Sequence, residues 1–176
     1  GGTKEMTLRA SDAFKKNDVE LNILREHFLT IAMAKVSTSG HEAYDLGLFE
    51  KSKDVIVTNR DEQLSIAKSY ARVLADAGYV KPIERTDIKV LGKQALGMFM
   101  VGTDSMKAGN YISEYDLLMA DKLAYVMSGG DLSAATTVSE RYLLDIEREA
   151  FLSLCGQRKT LERIQHMLTT GKPLRN

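Results

Sequence analysis

Apolar residues recur along most of this chain at the spacing of helices that turn one face inward. Met6, Ala10 and Ala13/Phe14 mark such a face over Thr3–Lys16. Asn17-Asp18 interrupts it, and Leu21, Leu24, Phe28, Ile31 and Ala32 form a wider face over Val19–Val36. Leu64, Ala67, Ala71, Leu74 and Ala75 make a third over Asn59–Ala77, which Gly78 closes. Further helices are expected over Ala95–Lys107, over Ser113–Met127 before Gly129-Gly130, and from Thr137 to Gly156 with Leu143, Ile146, Ala150 and Leu154 inward. A last one runs from Arg158 to about Thr169 and stops at Gly171, with Pro173 beyond.

Start signals support these assignments. Ser39 with Glu42, Asn59 with Glu62, Ser113 with Asp116, and Thr137 with Glu140 all have the three-residue spacing of a capping box. The first pair opens a short helix that carries Ala43 and Leu46 inward and ends at Gly47. Asp54-Val-Ile-Val-Thr58 is too short and too β-branched to prefer helix, so a single strand is expected there. Tyr79–Lys93, with Pro82 and mixed charge, reads as a loop with a brief extended piece at Ile88–Leu91. The pattern therefore predicts a mainly α chain of seven or eight helices with one short strand near residues 54–58. No repeat and no long linker divides it, so residues 1–176 are expected to form a single helical domain.

Composition narrows the function classes. With 176 residues and 44% hydrophobic content the chain is long enough for one real core. Its 24 basic and 24 acidic residues cancel, which gives no bulk attraction to nucleic acid or an anionic membrane. No apolar run approaches the about 20 residues of a membrane span. One cysteine, Cys155, excludes an internal disulfide and fits a reducing compartment. A cytoplasmic protein is expected.

Candidate chemistry is sparse. His27, His41 and His166 lie far apart, and no metal-ligand spacing is present, so no metal site is expected. Cys155 follows Leu154 at the end of an apolar face and reads as core packing. No G-x-G-x-x-G follows a strand, so nothing predicts a dinucleotide site in this chain. Gly97 and Gly102 flank Met98-Phe99-Met100 and suggest close helix approach. In the charge-dense stretch 142–149, Arg141 with Asp145 and Asp145 with Arg148 are spaced as surface ion pairs. From Gln157 onward Arg158, Lys159, Arg163, Lys172 and Arg175 face the single acid Glu162. That end is a solvated face that can also meet phosphate. Gly1-Gly2-Thr3 can present backbone N–H groups at a helix start, where a phosphate or thioester would be welcome.

Three segments carry a family likeness. Gly1, Gly2, Thr3, Met6 and Arg9 resemble the G-G-T-x-x-L-x-R segment of the crotonase (enoyl-CoA hydratase/isomerase) superfamily, with a longer spacing to the Arg. Glu42, Ala43, Gly47 and Leu48, with Phe49 in place of Val, resemble its E-A-x-x-x-G-L-V segment. The stretch from Tyr111 to Asn176 resembles the C-terminus of bacterial multidomain 3-hydroxyacyl-CoA dehydrogenases that carry a crotonase-like region.

The resemblance implies that the chain is the helical C-terminal half of a crotonase-like domain, cut from a larger multidomain enzyme of fatty-acid β-oxidation. It implies an acyl-CoA substrate and NAD in the parent protein, with no cofactor bound by this part. The catalytic residues of both activities would lie in upstream dehydrogenase and crotonase segments, leaving none here. Gly1, Gly2 and Thr3 would line the rear of the acyl-CoA site, and the later helices would make subunit contacts in a homo-oligomer. This part alone is expected to be inactive. The alternative is a non-enzymatic helical assembly module, for which the wide apolar face of residues 19–36 argues.

Overall fold

A computed structural model describes residues 1–176. In chain order its elements are α1 (Gly2–Ala13), α2 (Glu20–Ala32), α3 (Gly40–Asp45), a 3-10 turn (Arg60–Glu62) and α4 (Gln63–Asp76). There follow β1 (Ile88–Val90), α5 (Gly92–Ala108), α6 (Glu114–Met127), β2 (Thr136–Val138), α7 (Glu140–Cys155) and α8 (Arg158–Thr170). The chain is mainly α, as the periodicity predicts. Residues 1–35 and 85–176 make one compact unit, and residues 36–84 make another.

In the first unit α1 and α6 each serve two apolar clusters. Met6 and Ala10 of α1 join Leu24 and Phe28 of α2, Ala95 and Phe99 of α5, and Ala124 and Met127 of α6. Phe28 and Phe99 stack with ring centroids 4.5 Å apart and planes 8° from parallel. Leu8, two residues from Met6 and so on another side of α1, joins Ile88, Val90, Val126, Leu143, Ile146 and Ala150. α1 and α6 therefore stand between α2/α5 and β1/α7. Burial of these side chains contributes about 25 cal/mol per Å² removed from water.

The only sheet is an antiparallel ribbon in which Ile88 faces Val138 and Val90 faces Thr136. The period of two turns both Ile88 and Val90 into the core. Backbone passes so close to this ribbon that side chains are excluded beside it. Gly129, at φ 88°, would place a Cβ 2.5 Å from Val90 Cγ2. Gly92, at φ 63°, would place one 2.7 Å from the Leu132 carbonyl oxygen. Only glycine meets both demands at low cost.

Several local expectations are corrected. Thr137 does not cap α7, because its backbone is committed to pairing with Lys89 in the ribbon. Ser139 caps instead and accepts the Tyr142 N–H at 3.1 Å. Glu140 is drawn away to accept from Lys4 Nζ and from the Arg85 N–H, each at 2.8 Å. At α6 the capping box forms as expected, with Ser113 and Asp116 each accepting the other's N–H at 3.1 Å. The face of α5 that meets its neighbours carries Ala95, Phe99 and Thr103, whereas Gly97 and Gly102 have open space beside them and mediate no close approach.

In the second unit Ser39 caps α3 by accepting the Glu42 N–H at 3.1 Å, but Glu42 itself turns to Thr38, so the box is half made. No strand forms at residues 54–58. The β-branched run takes no regular structure, because a strand needs a ladder partner and none pairs with it. Its polar groups are used locally. The Tyr44 hydroxyl donates to the Asp54 carbonyl at 2.7 Å, and the Glu50 N–H donates to Asp54 Oδ2 at 2.7 Å. The Asn59 side chain accepts from the Asp61 N–H rather than from that of Glu62, which donates to the Asn59 carbonyl at 3.2 Å, and a 3-10 turn results. α4 has the predicted amphipathic period but buries no side chain: Leu64 is 81% exposed and Leu74 52%.

Candidate functional site

The first turn of a helix leaves backbone N–H groups without partners inside the helix. At α1, one of them finds its partner far along the chain. The Thr3 N–H donates to Glu147 Oε1 at 3.1 Å, and the Gly1 nitrogen lies 2.7 Å from the same oxygen. A carboxylate at a helix N-terminus is favoured by the helix dipole as well as by the hydrogen bond. Glu147 thus already supplies the anion that this N-terminus attracts. The Gly-Gly-Thr turn is held as a wall, with its Thr3 N–H committed.

Gly1, Thr3 and Glu147 line a cavity of about 620 Å³. Its lining is otherwise mostly apolar, with Ile31 from the end of α2, Met119 and Leu123 from α6, and Leu144 and Phe151 from α7. The size and character fit a small-molecule pocket. Gly2 is exposed and lies off the lining.

Four charged side chains reach this lining. Asp116 is taken by Arg163 at 2.8 Å, and Arg148 by Asp145 at 3.0 Å. Burial by itself pushes the Asp116 carboxyl up, but the Arg163 guanidinium and the Ser113 N–H and hydroxyl together hold it below the ordinary carboxylate range. Lys122 has no ion pair. The Glu147 side chain is 17% exposed, and its Oε2 is covered and has no hydrogen-bond donor. No other titratable side chain bonds to Glu147, so the arrangement is suited to holding a ligand rather than to passing protons between paired groups.

The remaining candidates lie apart from this cavity. His27 donates through Nδ1 to the Ile23 carbonyl at 3.0 Å along its own helix. His41 and His166 sit on α3 and α8, and no three His, Cys, Asp or Glu side chains gather as a metal set. Cys155 is half-buried at the last position of α7. Arg141 and Arg148 both pair with Asp145 on the surface, at 3.2 and 3.0 Å, as their spacing predicts. Of the basic end, Arg163 points inward to Asp116 and Arg158 pairs with Glu162 at 2.9 Å. Lys159 lies over the Tyr115 ring, 5.7 Å from its centroid, and Lys172 and Arg175 are exposed without an ion pair.

Glu147 is the site residue that sequence reading does not single out. The signal was present. Leu143, Ile146, Glu147 and Ala150 share one helical face, so a carboxylate interrupts an otherwise apolar stripe. Surrounded in sequence by surface charges, it reads as one more of them.

Over all 176 residues the chain is 44% identical to a protein of Bacillus subtilis (strain 168) called "Probable 3-hydroxyacyl-CoA dehydrogenase". The chain spans 22% of that protein's length. No family model matches the chain, and no solved structure matches it.

Proposed function

We propose that these 176 residues belong to a longer 3-hydroxyacyl-CoA dehydrogenase of fatty-acid β-oxidation, in which they close an acyl-CoA pocket and furnish subunit contacts. The observation that carries this is an overall identity of 44% in an alignment that spans all 176 residues, while the chain accounts for 22% of the relative. The likeness of Gly1, Gly2, Thr3 and of Glu42, Ala43, Gly47 to crotonase segments supports a hydratase-like region. The cavity adds support, since Gly1 and Thr3 both line it.

NAD does not fit this chain. A dinucleotide site of the Rossmann kind needs a parallel strand, a glycine-rich turn and a helix in succession. Here the strands form an antiparallel ribbon of three residues each. Hydride transfer therefore falls to other segments of the longer polypeptide, as does any polarisation of the thioester. What this chain contributes is shape, an apolar wall and the anchoring of α1 by Glu147. No helix is long and apolar enough to cross a membrane, and the cytoplasm is the setting we propose from the single unpaired cysteine, Cys155.

The test is calorimetric titration with acetoacetyl-CoA, using the chain alone and then mixed with the segments that precede the matched region in the relative. Binding that requires the mixture is the expected result. Association of the parts without any acyl-CoA binding overturns the reading. The chain alone is expected to hydrate crotonyl-CoA no faster than buffer does.

A second reading, a helical assembly module without catalysis, has its own observation. Leu64, Val73 and Leu74 on α4, with Leu161 and Leu168 on α8, are all more than half exposed. Apolar faces of this kind mark interaction surfaces. A monomer in sedimentation at high concentration counts against it.

A further inference from the structure

Gly1 is held from both of its ends. Its nitrogen lies 2.7 Å from Glu147 Oε1, and its carbonyl accepts the Glu5 N–H at 3.0 Å. Glu147 Oε1 also accepts the Thr3 N–H at 3.1 Å, so the start of α1 is clamped to α7. Backbone arriving at Gly1 is then free only in the φ of that residue. A residue joined to the Gly1 nitrogen starts about 1.3 Å from it, and each further one adds at most about 3.5 Å.

In the longer polypeptide proposed above, the residues before Gly1 thus begin at the cavity of about 620 Å³ that Gly1, Thr3 and Glu147 line. A peptide nitrogen there keeps one N–H, which preserves the hydrogen bond to Glu147. A Cβ on Gly1 would meet nothing within 4 Å, so incoming backbone is not crowded out.

The cavity wall has apolar surface to cover. Leu143, Ile146 and Ala150 of α7 belong to an apolar cluster, whereas Leu144 and Phe151 belong to neither cluster. Seven residues apart, these two share a face with Glu147, and both line the cavity with Ile31, Met119 and Leu123. Phe151 is 59% exposed, and the other four are half-buried. Asp116 and Arg148 are answered by Arg163 and Asp145, Glu147 is taken by α1, and only Lys122 has no ion pair. A chamber with its polar groups so engaged has little to orient a small polar ligand and much area for aliphatic side chains.

We propose that this cavity seats the stretch of polypeptide that immediately precedes Gly1 in the longer protein, its apolar side chains entering between α6 and α7 against Leu123, Leu144 and Phe151. Covalent continuity with Gly1 gives that stretch a local concentration that no free occupant matches. Glu147 aims it there by holding the Gly1 nitrogen at the rim. The proposed function enters only in taking the chain as part of a longer polypeptide; the clamp and the uncovered face of α7 do not depend on it.

The test compares the 176-residue chain with the same chain extended by the residues that precede the matched region in the relative. About 12 of them suffice, reaching about 40 Å when extended. The extension is expected to lower the unfolding equilibrium constant about tenfold, as burial of one aliphatic side chain provides. It should also shift the methyl resonances of Leu123 and Leu144. An extension with Ser at every apolar position should do neither. Phe151→Ser is expected to change the unextended chain by less than about threefold, because the ring is exposed, and to remove most of the gain from the extension.

An extension that leaves the Leu123 and Leu144 methyls unmoved overturns the inference, and no variant is needed to see it. An equal gain from the Ser-substituted extension, or in the Phe151→Ser chain, overturns it too. So does movement of these methyls in the unextended chain, whether on raising its concentration (a second copy) or on adding octanoyl-CoA (a ligand). Unmoved methyls with acyl-CoA binding intact in the mixed titration would remove this seat and leave the proposed function standing. A seated extension with silence in that titration would do the reverse.

Discussion

Arg163 on α8 donates to Asp116 in the first turn of α6 at 2.8 Å, and the same guanidinium donates to Asn176 Oδ1, also at 2.8 Å. Both side chains of the pair are mostly buried, at 15% and 17% exposure. The pair ties the end of the chain to the helix that lines the cavity. Removing one partner strands the other, which is why breaking such pairs costs more than forming them yields. Arg163→Met is expected to lower stability by about 2 kcal/mol, read as a shift in the urea midpoint. A change within experimental error would mean that water replaces the guanidinium freely.

The same carboxylate sets an acid response. Burial raises the Asp116 pKa, but Arg163 and Ser113 outweigh it and the folded value lies below the ordinary one. Glu140 is depressed too, by its bond from Lys4 first and then by the Arg85 N–H. A depressed carboxyl adds stability above its unfolded pKa, about 3.9 for Asp and 4.3 for Glu, and loses it as pH falls through the lower folded value. Stability should therefore drop below about pH 4. Asp116→Asn should be destabilised most at neutral pH, with the gap to the unmodified chain narrowing toward pH 3; a gap independent of pH contradicts this.

Gly129→Ala tests the close approach at the ribbon. The new Cβ would meet Val90 at 2.5 Å while the backbone holds φ 88°. Steric overlap and positive-φ strain act together, and a loss of about 2 kcal/mol or more is expected in chemical denaturation. Gly97→Ala, where a Cβ meets nothing, should instead be neutral or stabilising by up to about 1 kcal/mol, as helix propensity dictates.

Leu143 and Leu74 make a matched pair. Leu143 is fully buried in the cluster with Ile88 and Ile146, and Leu74 is 52% exposed on α4. Leu143→Ala is expected to cost about 2–5 kcal/mol. Leu74→Ala should stay within about 0.5 kcal/mol in this chain. Thermal melts of the two variants decide it, and a large cost at Leu74 would show that α4 is covered in solution.

Helix positions were legible because period and caps are local. Ser113 with Asp116, and the face of Leu143, Ile146 and Ala150, were readable directly. What failed depended on distant partners. The run at Val55-Ile-Val57 has strand chemistry without a strand to pair with, whereas Thr136–Val138 has a partner in Ile88–Val90 and forms one. Of that pair only the Ile88 side showed in the sequence. α4 displays an inward face with nothing described to receive it. At the site, Gly1 and Thr3 could be proposed from their likeness to a motif. Glu147 could not, because its importance comes from meeting residues 144 positions earlier.

The first unit is written in two stretches of the chain, residues 1–35 and 85–176, and that order has a consequence for the nascent polypeptide. Phe28 leaves the ribosome before Phe99, its stacking partner, has been translated. At synthesis rates of about 5–20 residues per second, the apolar faces that α1 and α2 turn toward α5 and α6 wait several seconds for those helices to arrive. The intervening residues 36–84 emerge during that interval. A cell making this protein must hold α1 and α2 apart from other sticky chains until α5 and α6 arrive, so its yield should depend on chaperone supply more than its final stability would suggest.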